Sequence, residues 1–542
     1  LKLQTLWLKY PCVMASADGQ LPAFVTRICE LLKRDELHIF AQDAHGAGTR
    51  EHLLHHSLFS DVPAELKAEA VASLASDASV ARAVGALVGT AIGDSVGAVL
   101  EFQDVVDYGD DQQQPNWQCQ AKDCLAVAFE GAPCWVPGSS SKCPYCGQAR
   151  PSGAPARATV AAYNVRTGEY IGRMTNQFRL KPGQWTDDTS MALCLADSLI
   201  CHRSLDGSDL RQRFYAWSFG AYNTPFGADP RRTFQEGMPE HPKNLEDMWF
   251  FDRGAVGCGT NMSRNLEKLA ETCVGVRPPP VFEAPTEDAG NAPLIRLAAV
   301  PVFFHARPRE ELLAAARASS YATHPGPVAA ECAAFLAFAI RAALVRGPGS
   351  RGDGTLRSFL EDVAGAYAEF LETGCLGGAA TSGERDARAA LLRLLRSSDE
   401  DPVPDSPEWQ SPELAWHWRL KRTWWRQTLK NRGERYNGYP VSSGYVGSFA
   451  MDGLAMALWA AYHASSFDEA VERCVNLQGD ADSTGAICGA LCGAFYGLPA
   501  MCERLVASVQ RWDAGGDIAL RGVLLWYLGN VYGGSPPTLQ QL

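Results

Sequence analysis

The sequence lacks the excess of positive charge that a general nucleic-acid-binding surface requires: 49 Lys and Arg stand against 61 Asp and Glu, for a formal net charge of −12. Cysteine falls far short of disulfide-scaffold density. The 17 cysteines of the 542-residue chain are scattered through apolar stretches such as Ala192–Leu195 and Ile487–Cys492. Reduced, buried thiols are expected there, which places the chain in the cytoplasm or another reducing intracellular compartment. The first residues carry no basic segment followed by a long apolar run and a small-residue cleavage site, so no secretory leader is expected among them; the chain opens on Leu1 rather than Met. No internal repeat is visible, and strand-like alternation is scarce outside one region. One apolar stretch, Ala83–Leu100, has Asp94 as its only charge. It is long enough to cross a membrane, but its closely spaced glycines and alanines predict a buried protein helix instead, and no membrane partner is expected.

What is present is ordinary globular composition, 46% hydrophobic and 20% charged, long enough for one large domain with insertions. Residues 1–80 are polar with amphipathic runs at Leu21–Leu32 and Ala64–Leu74 and read as a helical N-terminal extension. A main domain is expected over 81–535. Within it, residues 105–180 change to a polar, Cys/Pro/Gly-rich character with β-like pieces at Ala158–Asn164 and Tyr170–Met174, and the Cys-rich part, 112–160, reads as an inserted module. Helical periodicity marks Met191–Ile200, where Met191, Leu195 and Leu199 recur every four residues. Further helices are expected at Glu310–Ser319, Pro327–Leu344, Leu356–Leu371, Asp386–Leu395, Met451–Ala464, Phe467–Asn476 and Ser483–Tyr496. Residues 346–354 and 397–412 read as loops, within a second insertion over 346–440. The fold class is therefore mainly α, a compact orthogonal helical bundle rather than a βαβ fold. The chain is read as a monomer.

Two segments carry chemistry. Thr186-Asp187-Asp188-Thr189 opens the Met191–Ile200 helix, and Asp480-Ala481-Asp482-Ser483 opens the Ser483–Tyr496 helix. One Asp or Thr at a helix start is a cap. Two carboxylates and their hydroxyl partners crowded together repel unless a cation sits among them. The second helix carries Ala486, Gly489, Ala490, Gly493 and Ala494, small residues that permit close backbone approach, so its acidic start lies where uncompensated charge is expensive. Oxygen donors without paired His or Cys suit Mg²⁺ or Mn²⁺ rather than zinc.

Several motifs in order resemble the ADP-ribosylglycohydrolases, a family that includes dinitrogenase reductase-activating glycohydrolase, ADP-ribosylarginine and ADP-ribosylserine hydrolases, and J1 crystallins. They are Gly85-Ala-Leu-Val-Gly-Thr-Ala-Ile-Gly-Asp94-Ser-Val-Gly97 with Glu101-Phe102; Gly183-Gln-Trp-Thr-Asp-Asp-Thr; Gly290-Asn-Ala-Pro-Leu-Ile-Arg296 with Pro301; Thr323-His324; Gly444-Tyr445-Val446; and Val475-Asn-Leu-Gln-Gly-Asp-Ala-Asp-Ser-Thr-Gly-Ala486. The resemblance implies an all-helical fold and two Mg²⁺ or Mn²⁺ ions. It implies metal ligation by Thr186, Asp187, Asp188, Asp480, Asp482 and Ser483, the last a position where relatives often have Thr. It implies catalytic roles for Glu101, Asp187 and Asp482, with Glu101 handling the attacking water, and substrate contacts from Asn291, Arg296, His324, Gly444 and Tyr445. The loop from Asn291 corresponds to one that holds the ADP-ribose diphosphate through backbone amides; Ala292-Pro293 departs from the usual Gly-Ser, and proline removes one amide donor. The implied activity is hydrolysis of the glycosidic bond between ADP-ribose and a protein or small-molecule acceptor. The alternative is a degenerate ADP-ribose-binding or crystallin-like member.

Cys119 and Cys124 precede Cys143-Pro-Tyr-Cys146-Gly147 with 18 residues between the pairs, an arrangement that resembles a zinc ribbon, so the four thiolates are expected to form a structural Zn²⁺ site. The Trp-rich stretch 409–425 reads as a packing segment, with nucleobase stacking as the alternative.

Overall fold

In a computed structural model of the chain, the described residues are 21–32, 58–75, 77–108, 116–119, 135–136, 141–143, 146–152, 156–157, 163–166, 168–170, 178, 180–228, 255–272, 277–284, 289–349, 354–373, 381–432, 435–436, 439–440 and 446–532. The architecture is almost wholly helical. In chain order the helices are α1 (Ala23–Leu32), α2 (Ala64–Ala72), α3 (Ala78–Gly97), α4 (Asp187–His202), α5 (Gly207–Gly220), α6 (Thr260–Thr272), α7 (Ala292–Ile295), α8 (Ala299–Phe303), α9 (Arg309–Tyr321), α10 (Pro327–Arg346), α11 (Leu356–Glu372), α12 (Ser382–Leu395), α13 (Trp425–Arg432), α14 (Ala450–Tyr462), α15 (Phe467–Val475), α16 (Ala481–Tyr496), α17 (Glu503–Gln510) and α18 (Asp517–Tyr532).

The centre of the bundle follows from glycine spacing. Gly85, Gly89, Gly93 and Gly97 recur every fourth residue along one face of α3, and Gly493, Gly489, Gly485 and Ala481 do so on α16. The helices run antiparallel with these residues face to face. A Cβ added at Gly89 would collide with the Gly489 carbonyl oxygen, and one at Gly93 with that of Gly485. Removing side chains here lets two backbones approach more closely than any larger residue allows, and this contact sets the end of α3 beside the start of α16. Asp77 begins α3 by accepting from the Ser79 amide at 2.7 Å, an ordinary N-cap.

Around this pair pack α10, α14 and α4, each buried on nearly all sides. Among the described residues one helix, Pro327–Arg346, is long and apolar enough to cross a membrane, and 89% of its apolar window is buried inside the protein. Ala83–Leu100 likewise lies in the core, as α3 and the turn that follows it. Glu331, buried on α10, is held by Arg317 at 2.8 Å and Arg388 at 3.0 Å. The N-terminal amphipathic runs form α1 and α2 and pack back on the last helix, with Phe24 edge-on to Tyr527 at 5.9 Å.

The helices expected from periodicity are present with ends shifted by a few residues, whereas α5 to α8, α13, α17 and α18 lie beyond those expectations. Among the described residues, strands are confined to short pieces. β1 (Asn116–Gln118), β2 (Trp135–Val136) and β3 (Ala156–Arg157) form an antiparallel sheet of order β2-β1-β3. β4 (Tyr163–Asn164) and β5 (Glu169–Tyr170) form a hairpin, and β6 (Arg435–Tyr436) pairs with β7 (Tyr439–Pro440). The β4 hairpin is tied to α15: the Tyr163 amide donates to Asn476 Oδ1 at 2.7 Å and the Val165 amide to Glu472 Oε2 at 2.7 Å. In the Trp-rich stretch, Trp416, Trp418, Trp424 and Trp425 are buried; Trp416 Nε1 donates to Asp452 Oδ1 at 2.9 Å and Trp418 Nε1 to the Leu394 carbonyl at 3.0 Å. That is packing, and it leaves these four rings no open face for a nucleobase.

Candidate metal centre

Three elements meet at one acidic centre. From α3 comes Asp94, fully buried one residue past Gly93. It binds the start of α4: Oδ1 accepts from the Thr186 amide (3.0 Å) and hydroxyl (3.0 Å), and Oδ2 from the Thr189 amide (3.0 Å) and hydroxyl (2.6 Å). A carboxylate from a neighbouring helix thus does the work of an N-cap for α4. Neither N-cap residue of the two acidic helices, Thr186 or Asp480, caps with its own side chain. Capping therefore does not account for the local acids at either helix start.

From α4, the Thr186 hydroxyl lies 2.7 Å from Asp188 Oδ2 and 3.4 Å from Asp482 Oδ2. The hydroxyl has one proton to give and faces carboxylates from α3, α4 and α16, so the two clusters, 292 residues apart from Asp188 to Asp480, meet directly. Oxygens of Asp94, Asp188 and Asp482 all lie within 4.8 Å of one another, and so do those of Glu101, Asp480 and Asp482. Asp482 belongs to both groups. Glu101 is brought in by the turn after α3, which is strapped to the residues before Asp480: the Phe102 amide donates to the Gly479 carbonyl and the Gly479 amide to the Gln103 carbonyl, both at 3.1 Å. Phe102 and Gln478 both hold a left-handed backbone, each at φ 62°, which is strained for side-chain-bearing residues. Asp480 is fixed by its own amide, donating to the Val446 carbonyl at 2.7 Å.

The electrostatics are those of a site built for positive charge. Burial raises Asp187, Asp188 and Asp482 well above the ordinary carboxylate range, and neighbouring acids push further: chiefly Asp188 and Asp94 on Asp187, Asp94 on Asp188, and Glu101 and Asp188 on Asp482. Asp94 is raised to about 6 by burial, against the opposing pull of its hydrogen bonds from Thr189 and Thr186. Among the described residues no Lys or Arg forms an ion pair with Asp94, Asp187, Asp188 or Asp482. Asp188 Oδ1 is buried with no hydrogen-bond partner among them. An orphaned carboxylate oxygen in an all-oxygen cluster fits a hard divalent cation. Ser483, 8% exposed, sits at the same helix start. The Asp187 carboxylate lies against Gly257, where any Cβ would collide with Oδ1.

The remaining expected residues divide. The Asn291 side chain donates to Asp480 Oδ2 at 2.8 Å and to the Gly447 carbonyl at 3.1 Å, so it orients an acid of the centre. The amides of its loop are engaged internally: Asn291 N donates to the Ser448 carbonyl at 2.9 Å, and Leu294 N to the Asn291 carbonyl at 2.7 Å. Arg296 is fully buried; its guanidinium binds Thr323 Oγ1 (2.6 Å) and the Ser319 carbonyl (3.0 Å) and lies over the Phe214 ring. Burial lowers its pKa to about 9. His324 is also buried, with Nδ1 2.8 Å from Thr323 Oγ1. Arg296 and His324 thus share Thr323 within the core, and the Asp187 carboxylate opposes the burial effect on the Arg296 guanidinium. Gly444 and Tyr445 lie outside the described residues; the adjoining Val446 and Gly447 pack against Asp480. The residue that sequence reasoning left out of the site is Asp94. Its signal was present, a single charge in the otherwise uncharged run Ala83–Leu100.

The molecule is an all-helical protein whose helix termini pool buried carboxylates into an oxygen-donor centre suited to divalent cations. The sequence profile of the ADP-ribosylglycohydrolases matches residues 75–528, and the chain belongs to that family. Among curated proteins, ADP-ribosylarginine hydrolase Tri1 of Serratia proteamaculans (strain 568) is 27% identical over 327 residues, 59% of this chain and 62% of that protein. The protein of the same name from Pseudomonas putida (strain GB-1) is 25% identical over 360 residues, 65% of this chain and 70% of that protein. A solved structure, "ADP-ribosylglycohydrolase-related protein complex", aligns over 83% of this chain and 99% of its own with a TM-score of 0.45 at 23% identity.

Proposed function

We propose that the chain is a metal-dependent hydrolase that cleaves the glycosidic bond between ADP-ribose and an acceptor, with modified arginine on a protein as the first acceptor to test. One observation supports this above all: Asp482 lies in both oxygen groups, so acids from α3, α4 and α16 and from the Glu101 turn form one continuous centre. The bulk of the donor set comprises Thr186, Asp187, Asp188, Asp480, Asp482 and Ser483, to which Asp94 is added by its position. Two Mg²⁺ or Mn²⁺ ions bound there would supply Lewis-acid charge and a template for ribose hydroxyls.

The chain's own residues divide the remaining work. Asp94 fixes the α4 start so that Asp187 and Asp188 are presented together. Asn291 holds Asp480 by its Oδ2 atom. Glu101, buried beside Asp480 and Asp482, stands where a carboxylate can take a proton from an attacking water. The reading carries with it a reducing intracellular location and an ADP-ribosylated protein or small molecule as partner. The name of the two curated relatives favours arginine among the acceptors.

The test uses the full chain, stripped of metal and then supplied with Mg²⁺ or Mn²⁺, on proteins bearing ADP-ribosylarginine or ADP-ribosylserine. Release of ADP-ribose is expected only with metal. Asp187→Asn and Asp480→Asn should each lower it by at least about 10²-fold, the scale on which an acid–base or charged group contributes. Undiminished turnover in either variant, or equal turnover without metal, overturns the proposal. ADP-ribose binding without turnover of either substrate would mark a degenerate family member instead.

A further inference from the structure

The inserted module holds a second set of metal-ligand side chains that the acidic centre does not use. Sulfurs of Cys119, Cys143 and Cys146 all lie within 4.8 Å of one another, with Cys119 Sγ 3.6 Å from Cys146 Sγ. That separation is far longer than a disulfide bond of about 2.0 Å. It matches the edge of a thiolate tetrahedron: sulfurs held about 2.3 Å from a zinc ion stand about 3.8 Å apart. The local backbone is built to hold the cysteines there. Cys143 and Cys146 flank a tight hairpin in which the Gly147 amide donates to the Cys143 carbonyl at 2.9 Å and the Cys143 amide to the Gln148 carbonyl at 2.8 Å. Lys142 and Ala149 close the hairpin as a bridge. Gly147 sits at φ 73°, the left-handed turn conformation that glycine adopts at least cost. Cys119 arrives on the end of β1, two residues after the fully buried Trp117.

The energetics argue the same way. The sheet that carries Cys119 has strands of two or three residues, too short to be stable by pairing alone, and its Trp117 is fully buried. Two of the three sulfur-bearing residues are themselves buried, and a buried thiol cluster without a metal contributes little to offset the entropy of ordering the insertion. We infer that Cys119, Cys143 and Cys146 bind a structural zinc ion, which supplies the folding free energy of the inserted module. Cys124, the fourth thiolate expected from the sequence, lies outside the described residues. The inference is independent of the hydrolase reading.

The full chain, produced in zinc-supplemented medium and dialysed against excess Mg²⁺ to clear the acidic centre, is expected to retain about one zinc ion per chain. A thiol-blocking mercurial should release that zinc in step with modified sulfur, a readout that requires no variant. The cobalt-substituted protein should show intense thiolate-to-metal charge transfer, which carboxylate ligands do not give. Cys119→Ser, Cys143→Ser and Cys146→Ser should each remove that band, and Asp482→Asn should leave it intact. Wild-type protein without zinc, zinc not released by the mercurial, or a cobalt form without the charge-transfer band overturns the inference.

Discussion

At the residue scale, Asn291 shows how much of an acidic centre depends on neutral neighbours. Its amide gives one proton to Asp480 Oδ2 at 2.8 Å and another to the Gly447 carbonyl at 3.1 Å, so the carboxylate orientation is set by a group that carries no charge. Such outer hydrogen bonds to metal-ligating groups are worth about 10–100-fold in metal affinity. Asn291→Leu keeps a similar volume and removes both donors; its Mn²⁺ affinity, measured by calorimetry, should fall by about that factor. Unchanged affinity would mean that Asp480 is held by other contacts. The sequence carried Asn291 as a diphosphate contact because family motifs record a position and not the direction of a side chain. Asp94 was legible in principle, since a lone carboxylate in a buried helix must find partners. Which partners it finds, the amides and hydroxyls of Thr186 and Thr189, depends on a helix 92 residues away and appears only in three dimensions.

At the scale of elements, the helices that sequence periodicity located, α4, α9 to α12 and α14 to α16, are those with a clear apolar face or an uninterrupted apolar body. Those it did not locate fail for identifiable reasons. α18 is buried on nearly all sides, so it has no polar stripe to give a period, and its Arg521 is absorbed by Asp197 at 2.7 Å. The strands β1 to β3, of two or three residues, are too brief for alternation to register, while β4 and β5 touch the β-like pieces expected at 158–164 and 170–174, whose other residues lie outside the described ones. The α3–α16 glycine contact gives the sharpest element-scale expectation. Gly93→Ala places a Cβ on the Gly485 carbonyl, and because both partners are backbone the helices must move apart. A loss of about 3 kcal/mol or more is expected, at the upper end for overpacking, together with weakened metal binding, since Asp94 is the next residue. Gly365→Ala on α11 is the internal control: a Cβ there meets nothing within 4 Å. It should instead stabilise the protein by about 0.5–1 kcal/mol through helix propensity. Thermal denaturation of the two variants beside the parent separates the cases, and similar shifts in both would refute the close-approach argument.

At the scale of the whole molecule, the second and last described helices are joined at a titratable point. Lys67 on α2 binds Asp517 at 2.7 Å, and Asp513, buried just ahead of α18, accepts from the Ile518 amide at 3.2 and 3.1 Å. Burial, reinforced by the neighbouring Asp517, raises Asp513 from 3.8 to about 7 against the pull of those amides. The sign of the linkage follows from proton counting. Below pH 3.8 the group is protonated whether the chain is folded or not, and it costs nothing. Between 3.8 and about 7 the unfolded chain releases the proton while the folded chain keeps it, so stability falls as pH rises. Above about 7 the full cost is present, of the order of a few kcal/mol. Asp513→Asn keeps an oxygen to accept from Ile518 and removes the charge. Relative to the parent, its Tm should therefore rise steadily from pH 4.5 to pH 8, gaining a few degrees across that window. Taking the difference between variant and parent at fixed metal concentration cancels the titration of the acidic centre, which both proteins share. A difference that stays flat with pH would show that Asp513 is ionised in the folded chain throughout, and that the junction of α2 and α18 is held by Lys67 and the helix-end amides alone.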